Sequence, residues 1–118
     1  MNFSTSLLPY LENTEQLSIR LSELGHRVAL ESSNFEHPSG RWSIVSAAPI
    51  DSLELTDKTS LASVLTEVHK LSKILPKVDS SLPFCGGLIG HISYDLGIEE
   101  VQSAQKASHP LLLCGLYT

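Results

Sequence analysis

Between residues 61 and 75, apolar side chains recur as Leu61, Val64, Leu65, Val68, Leu71, Ile74 and Leu75. Steps of three and four residues mark one face of a 3.6-residue helix. A helix with one apolar face must bury it against another layer. The spacing predicts a helix capped by Thr59 or Ser60 and ended by Pro76, which has no N–H to carry the ladder on. The rest of the chain has to supply what that face packs on.

Strand-like runs supply it. Arg27–Ser32 and Arg41–Ala47 read as two strands joined by a polar loop whose turn residues are Pro38, Ser39 and Gly40. Trp42, Ile44 and Ser46 fall on one face of the second, and Pro49 closes it. Ser52–Thr56 alternates polar and apolar, as a half-exposed strand does. Pro83–Gly97 has the β-branched and aromatic content of a strand, with Gly86, Gly87 and Gly90 marking close backbone approach or a bulge. The polar segment Ile98–His109 leads to a last, buried-type strand at Leu111–Thr118. An earlier helix is predicted over Asn13–Leu24, with Asn13 and Gln16 as a capping box, Leu17, Leu21 and Leu24 on one face, and Gly25 as the stop.

Composition narrows the class. The chain has 118 residues, 42% of them apolar, enough for one domain with its own core. A formal net charge of −5, with 13 acidic residues against 8 basic ones, excludes the clustered positive charge of a nucleic-acid footprint. The longest apolar stretch, Pro110–Tyr117, is under half of the roughly 20 residues a membrane helix needs. Met1–Ser4 carries neither the basic nor the apolar region of a signal peptide, so the expected compartment is the cytoplasm. Cys85 and Cys114 are then expected as reduced thiols buried in apolar runs. Charged residues make up 18%, below the roughly 25% usual in soluble domains, which points to surface that something else covers. The last run ends one residue after its strand without a polar tail, so the expectation is a piece of a longer chain.

Catalytic chemistry is hard to place on these residues. His91, Ser93 and Asp95 have the composition of a triad, but residues two apart on a strand are about 6.5–7 Å apart, too far for a nucleophile and its base. The glycines lack the Lys-Ser/Thr end of a phosphate loop. The five histidines (His26, His37, His69, His91, His109) match no metal spacing. The stretch Leu30-Glu31-Ser32 facing Arg41-Trp42-Ser43 is different. A carboxylate, hydroxyls and a cation on paired strands form a rim suited to a zwitterion such as an amino acid, with a surface ion pair as the plainer alternative.

Those same residues carry a resemblance. Leu30-Glu31-Ser32, then Gly40-Arg41-Trp42-Ser43-Ile44 and Ala48-Pro49, resemble the N-terminal region of the anthranilate synthase component I and aminodeoxychorismate synthase component I family. Pro83–Gly97 is similar to that family's PF-x-GG-x-x-G-x-x-x-YD-L signature. Leu8–Asn13, Glu36-His37-Pro38 and Tyr94–Gly97 look more like the aminodeoxychorismate branch than the anthranilate branch. The family often carries Arg where this chain has Ile98.

The resemblance implies a chorismate-aminating enzyme of p-aminobenzoate and folate biosynthesis. Its ammonia comes from a glutamine amidotransferase partner (component II), and its chorismate and Mg2+ residues lie in a C-terminal domain outside these 118 residues. It also implies a tryptophan-type pocket, to which Leu30, Glu31, Ser32 and Arg41 are carried over by position. In that reading Ser32 bonds the ligand, Leu30 packs on its indole, and Arg41 binds it or braces the loop. The pocket's other wall would come from the absent part.

The expectation is an α+β lobe, residues 1–118, of mainly antiparallel sheet with two packed helices and no catalysis of its own. The alternatives are the corresponding lobe of anthranilate synthase and, from another class, a stand-alone amino-acid-binding or amidotransferase-docking domain.

Overall fold

The computed structural model describes residues 4–56, 61–78, 80–97 and 109–118. In chain order they form α1 (Glu15–Ser22), β1 (Val28–Leu30), β2 (Ile44–Ser46), β3 (Asp51–Leu55), α2 (Leu61–Ser72), β4 (Gly87–Ile92) and β5 (Leu112–Tyr117). Short 3-10 turns at Pro38–Gly40 and Tyr94–Gly97 complete the set. The architecture is α+β and every strand pair is antiparallel: a hairpin β1–β2 and a sheet in the order β3-β5-β4.

The strand of Leu111–Thr118 becomes the central one because it is the most apolar, and a strand paired on both sides is best buried. Register decides what each face carries. Leu112, Cys114 and Leu116 of β5 align with Leu55 and Leu53 of β3 and with Leu88 of β4. Alternation puts all six on one face. On that face Leu112 and Cys114 cluster with Val64 of α2, Leu96 and Leu111 to form the core, with Val68 and Leu71 packed against it. Val64 and Leu112 are each 1% exposed and Leu116 is wholly buried. Of the helical stripe predicted from spacing, Val64, Val68 and Leu71 pack on this core, whereas Leu65 and Ile74, at its margins, stay half-exposed. The proposed caps Thr59 and Ser60 lie outside the described residues, as does the segment from Ile98 to Ser108.

Four expectations need correcting. Thr14, not Asn13, is the N-cap of α1, and its hydroxyl makes no capping bond; Asn13 Oδ1 instead accepts from Glu15 N at 2.7 Å. Leu24 points outward at 62% exposure, and Ser18 takes the buried position between half-buried Leu17 and Leu21 where α1 meets β2. The second strand begins at Ile44 rather than Arg41, because Arg41 still has the helical dihedrals of the 3-10 turn before it. Pro83–Gly97 is not one strand either. Gly86, at φ +113, swings the chain into β4, and after Ile92 a 3-10 turn takes over.

Candidate functional site

The hairpin holds the residues singled out from sequence. Val28, Ala29 and Leu30 pair with Ser46, Val45 and Ile44. The connecting loop is tied to itself: Asn34 Oδ1 accepts from Glu36 N, His37 Nδ1 accepts from Ser39 N, and Gly40 N donates to His37 O at 2.8 Å. A Cβ on Gly40 would sit 1.8 Å from the Asn34 carbonyl oxygen, so this closure requires glycine. Ser32 Oγ donates to Trp42 O at 3.1 Å, bracing the hairpin where the ladder stops. The Glu31 carboxylate accepts from the Thr14 hydroxyl and so ties the start of α1 to β1. No ion pair joins Glu31 to Arg41, which is exposed beyond the turn. Leu30 is half-exposed. Glu31, Ser32 and Arg41 thus belong to the loop end of the hairpin, with Glu31 bonded to Thr14 and Ser32 to Trp42, whereas Leu30 lines a cleft beside β1.

That cleft has a volume of about 420 Å3 and lies between the hairpin and the sheet face that α2 does not cover. Ser52, Ile89, His91, Leu113, Gly115 and Tyr117 belong to that face by register, and β1 with the preceding His26 and Arg27 forms the opposite wall. The two walls are joined at one end. A Cβ on Gly115 would come within 2.7 Å of the Tyr117 ring and 2.9 Å of Pro49. Without it the ring lies over β5, and its hydroxyl donates to His26 O at 2.9 Å. Ala48 N donates to Gly25 O at 3.0 Å beside this bond. Three left-handed residues, Gly25, His26 and Ala48, make the corner possible.

Burial also acts on two titratable groups of β5, Cys114 on the core face and Tyr117 on the cleft face. Desolvation pushes the Cys114 thiol above the ordinary thiol range, partly opposed by a backbone hydrogen bond from Leu53. It raises the Tyr117 phenol as well, with the nearby Cys114 thiolate adding to the effect. Sequence reasoning did not reach His26, Arg27, His91 or Tyr117 as one group. The alternation of β4 and β5 could have put His91 with Tyr117, but the corner that brings in His26 and Arg27 rests on non-glycine residues in a conformation that sequence does not announce.

A second cleft, of about 460 Å3, opens on the far side of the hairpin between Trp42–Ser46 and Pro83–Gly86, with Cys85 and Phe84 in its wall. Both cysteines are free, Cys114 buried and Cys85 half-buried. His91, Ser93 and Asp95 are on a strand, a link and a 3-10 turn, and Ser93 Oγ accepts from Asp95 N at 3.3 Å, so that hydroxyl shapes the turn. Among the described residues no group of three or more His, Cys, Asp or Glu is placed to hold a metal ion. No helix among them is long and apolar enough to cross a membrane.

Fold and clefts together describe a small α+β unit with room for a ligand on either side of its hairpin. The chain is similar to Aminodeoxychorismate synthase component 1 of Escherichia coli (strain K12), with 35% identity over 92 residues. The match takes in 66% of this chain and 20% of the relative, so the chain spans about a fifth of the length of the curated protein it matches. No family model matches the chain. No solved structure matches it.

Proposed function

We propose that this chain serves as the N-terminal, non-catalytic lobe of a chorismate-aminating enzyme that makes 4-amino-4-deoxychorismate. The carrying observation is the 35% identity to a component 1 protein over 66% of the chain. In this reading chorismate and Mg2+ are held by the remainder of the enzyme, ammonia comes from a glutamine amidotransferase partner, and the protein works in the cytoplasm. The lobe contributes Leu30, Glu31, Ser32 and Arg41 to a tryptophan-type pocket. Support for that assignment is local: Ser32 keeps an acceptor lone pair beyond its bond to Trp42 O, and Leu30 leaves apolar surface open for an indole.

The test is the natural gene product incubated with chorismate and ammonia, with products identified by mass spectrometry. Aminodeoxychorismate is expected. Anthranilate would move the chain to the sister branch, and untouched chorismate would remove the enzyme reading in favour of a binding domain. For the pocket, isothermal titration with tryptophan should give heat that Ser32→Ala weakens about fivefold, the worth of one hydrogen bond near 1 kcal/mol. Unchanged affinity in Ser32→Ala removes Ser32 from the pocket.

A further inference from the structure

We propose that the cleft between the hairpin and the β4–β5 face binds a small apolar carboxylate, such as an aromatic acid, through Arg27, His26 and His91. The site shares Leu30 with the tryptophan-type pocket, differs from it in its polar groups, and does not depend on the chorismate reading.

Three observations converge. The floor is apolar and well packed: Ile89 is 9% exposed and Tyr117 3%, while Leu113, further along, is 37% exposed and leaves that end open. Among the described residues of its lining, the ionisable nitrogen groups stand without a carboxylate beside them, with the Ser52 hydroxyl as a further polar group. In a chain of net charge −5, the cleft takes Arg27 and His26 from the corner before β1 and His91 from β4, and no acidic side chain among the described residues lines it. Glu54 shares the sheet face and pairs with Leu113, but it stands outside the lining. Finally, the size fits. About 420 Å3 lies in the range of small-molecule pockets, which combine apolar walls with a few convergent polar groups.

The chemistry follows from those groups. A guanidinium offers paired N–H donors to a carboxylate, and its charge is fixed at any working pH. Imidazole N–H groups add donors on either side. The Tyr117 hydroxyl already donates to His26 O, so the phenol ring contributes apolar surface and fixes the corner that carries His26 and Arg27. The aromatic body of the ligand would lie along Ile89 and Leu113, with the Tyr117 ring, packed over Gly115, closing one end.

Isothermal titration of the natural full-length protein provides the test, with indole-3-propionate as probe and its neutral alcohol and tryptophan as comparisons. The acid should bind at least tenfold more tightly than the alcohol. Arg27→Gln should weaken the acid about tenfold and His91→Gln severalfold, while Arg27→Lys restores part of the loss and Glu54→Gln leaves it unchanged. Arg27 is exposed, so these variants should keep the parent circular dichroism spectrum. Equal binding of acid and alcohol overturns the proposal, as does an Arg27→Gln variant that is folded and binds as the parent does. Tryptophan binding that falls in Glu54→Gln but not in Arg27→Gln also overturns it, in favour of a zwitterion site. Loss of tryptophan binding in Ser32→Ala alone concerns the other pocket and leaves the acid series as expected.

Discussion

The sheet β3-β5-β4 and the hairpin β1–β2 are both antiparallel, yet they are held by different means. The sheet has α2 across one face and contains the fully buried Leu112 and Leu116. The hairpin is three residue pairs long and has no fully buried side chain. It is fastened by point contacts: Thr14 to Glu31, Ser32 to Trp42, Ala48 to Gly25 and Tyr117 to His26. Apolar burial scales with area and tolerates polar rearrangement elsewhere, whereas a few hydrogen bonds specify position at little net stability. Apart from His91 of β4, the candidate ligand residues are on the hairpin and its corner, so most of the recognition surface belongs to the half with less apolar burial.

The largest test of this contrast is a pair of truncations. Leu116→Ala should cost about 3 kcal/mol in urea unfolding, the usual range for a buried leucine. Leu30→Ala, at a half-exposed hairpin position, should cost under about 1 kcal/mol. Similar losses for the two would end the distinction. Tyr117→Phe is next: it keeps the ring over Gly115 and removes one bond to a backbone carbonyl, for about 1 kcal/mol. Hydrogen exchange should show the loss of protection in β1 and β2 and not in β4. Ala48→Gly should stabilise by about 0.5 kcal/mol, because the residue is left-handed at φ +51 and relief of that strain outweighs glycine's entropy. Destabilisation would mean that the alanine methyl packs better than its backbone suffers.

The smallest effect at neutral pH concerns titration. Cys114 and Tyr117 hold their protons more tightly folded than unfolded. The folded state therefore binds more protons at alkaline pH. Stability is level below the unfolded thiol value, near pH 9, and falls as pH rises through the folded-state values. Urea titrations at intervals between pH 7 and 11 measure this, and Cys114→Val should flatten the first part of the slope.

Elements governed by periodicity were legible from sequence. The stripe of α2 and the apolar run of β5 define the core because helix and strand spacing state which residues share a face. The glycine at position 40 was readable as a turn, and the structure gives it a physical reason in the Asn34 carbonyl. Strand ends were less legible, since Arg41 and Gly86 take their conformations from the turns beside them. Of the candidate site, Glu31, Ser32 and Arg41 lie at the loop end of one hairpin, but Glu31 bonds to Thr14 and Ser32 to Trp42 rather than to each other. The basic cleft was hidden for a different reason. Arg27 and His91 are 64 positions apart and meet only because β1 folds over the second face of a sheet whose first face alone has a pattern to read.

The ring of Tyr117 lies in the wall of that cleft while its oxygen fastens the hairpin. Tyr10 and Tyr94, the chain's other two tyrosines, are 88% and 87% exposed, and the sole tryptophan borders the opposite cleft. The molecule thus places one chromophore on each side of its hairpin. Burial delays the phenolate absorbance of Tyr117 to higher pH, so that signal should report on one side, while Trp42 emission reports on the other. Events in the two clefts can then be separated by wavelength, without any added label.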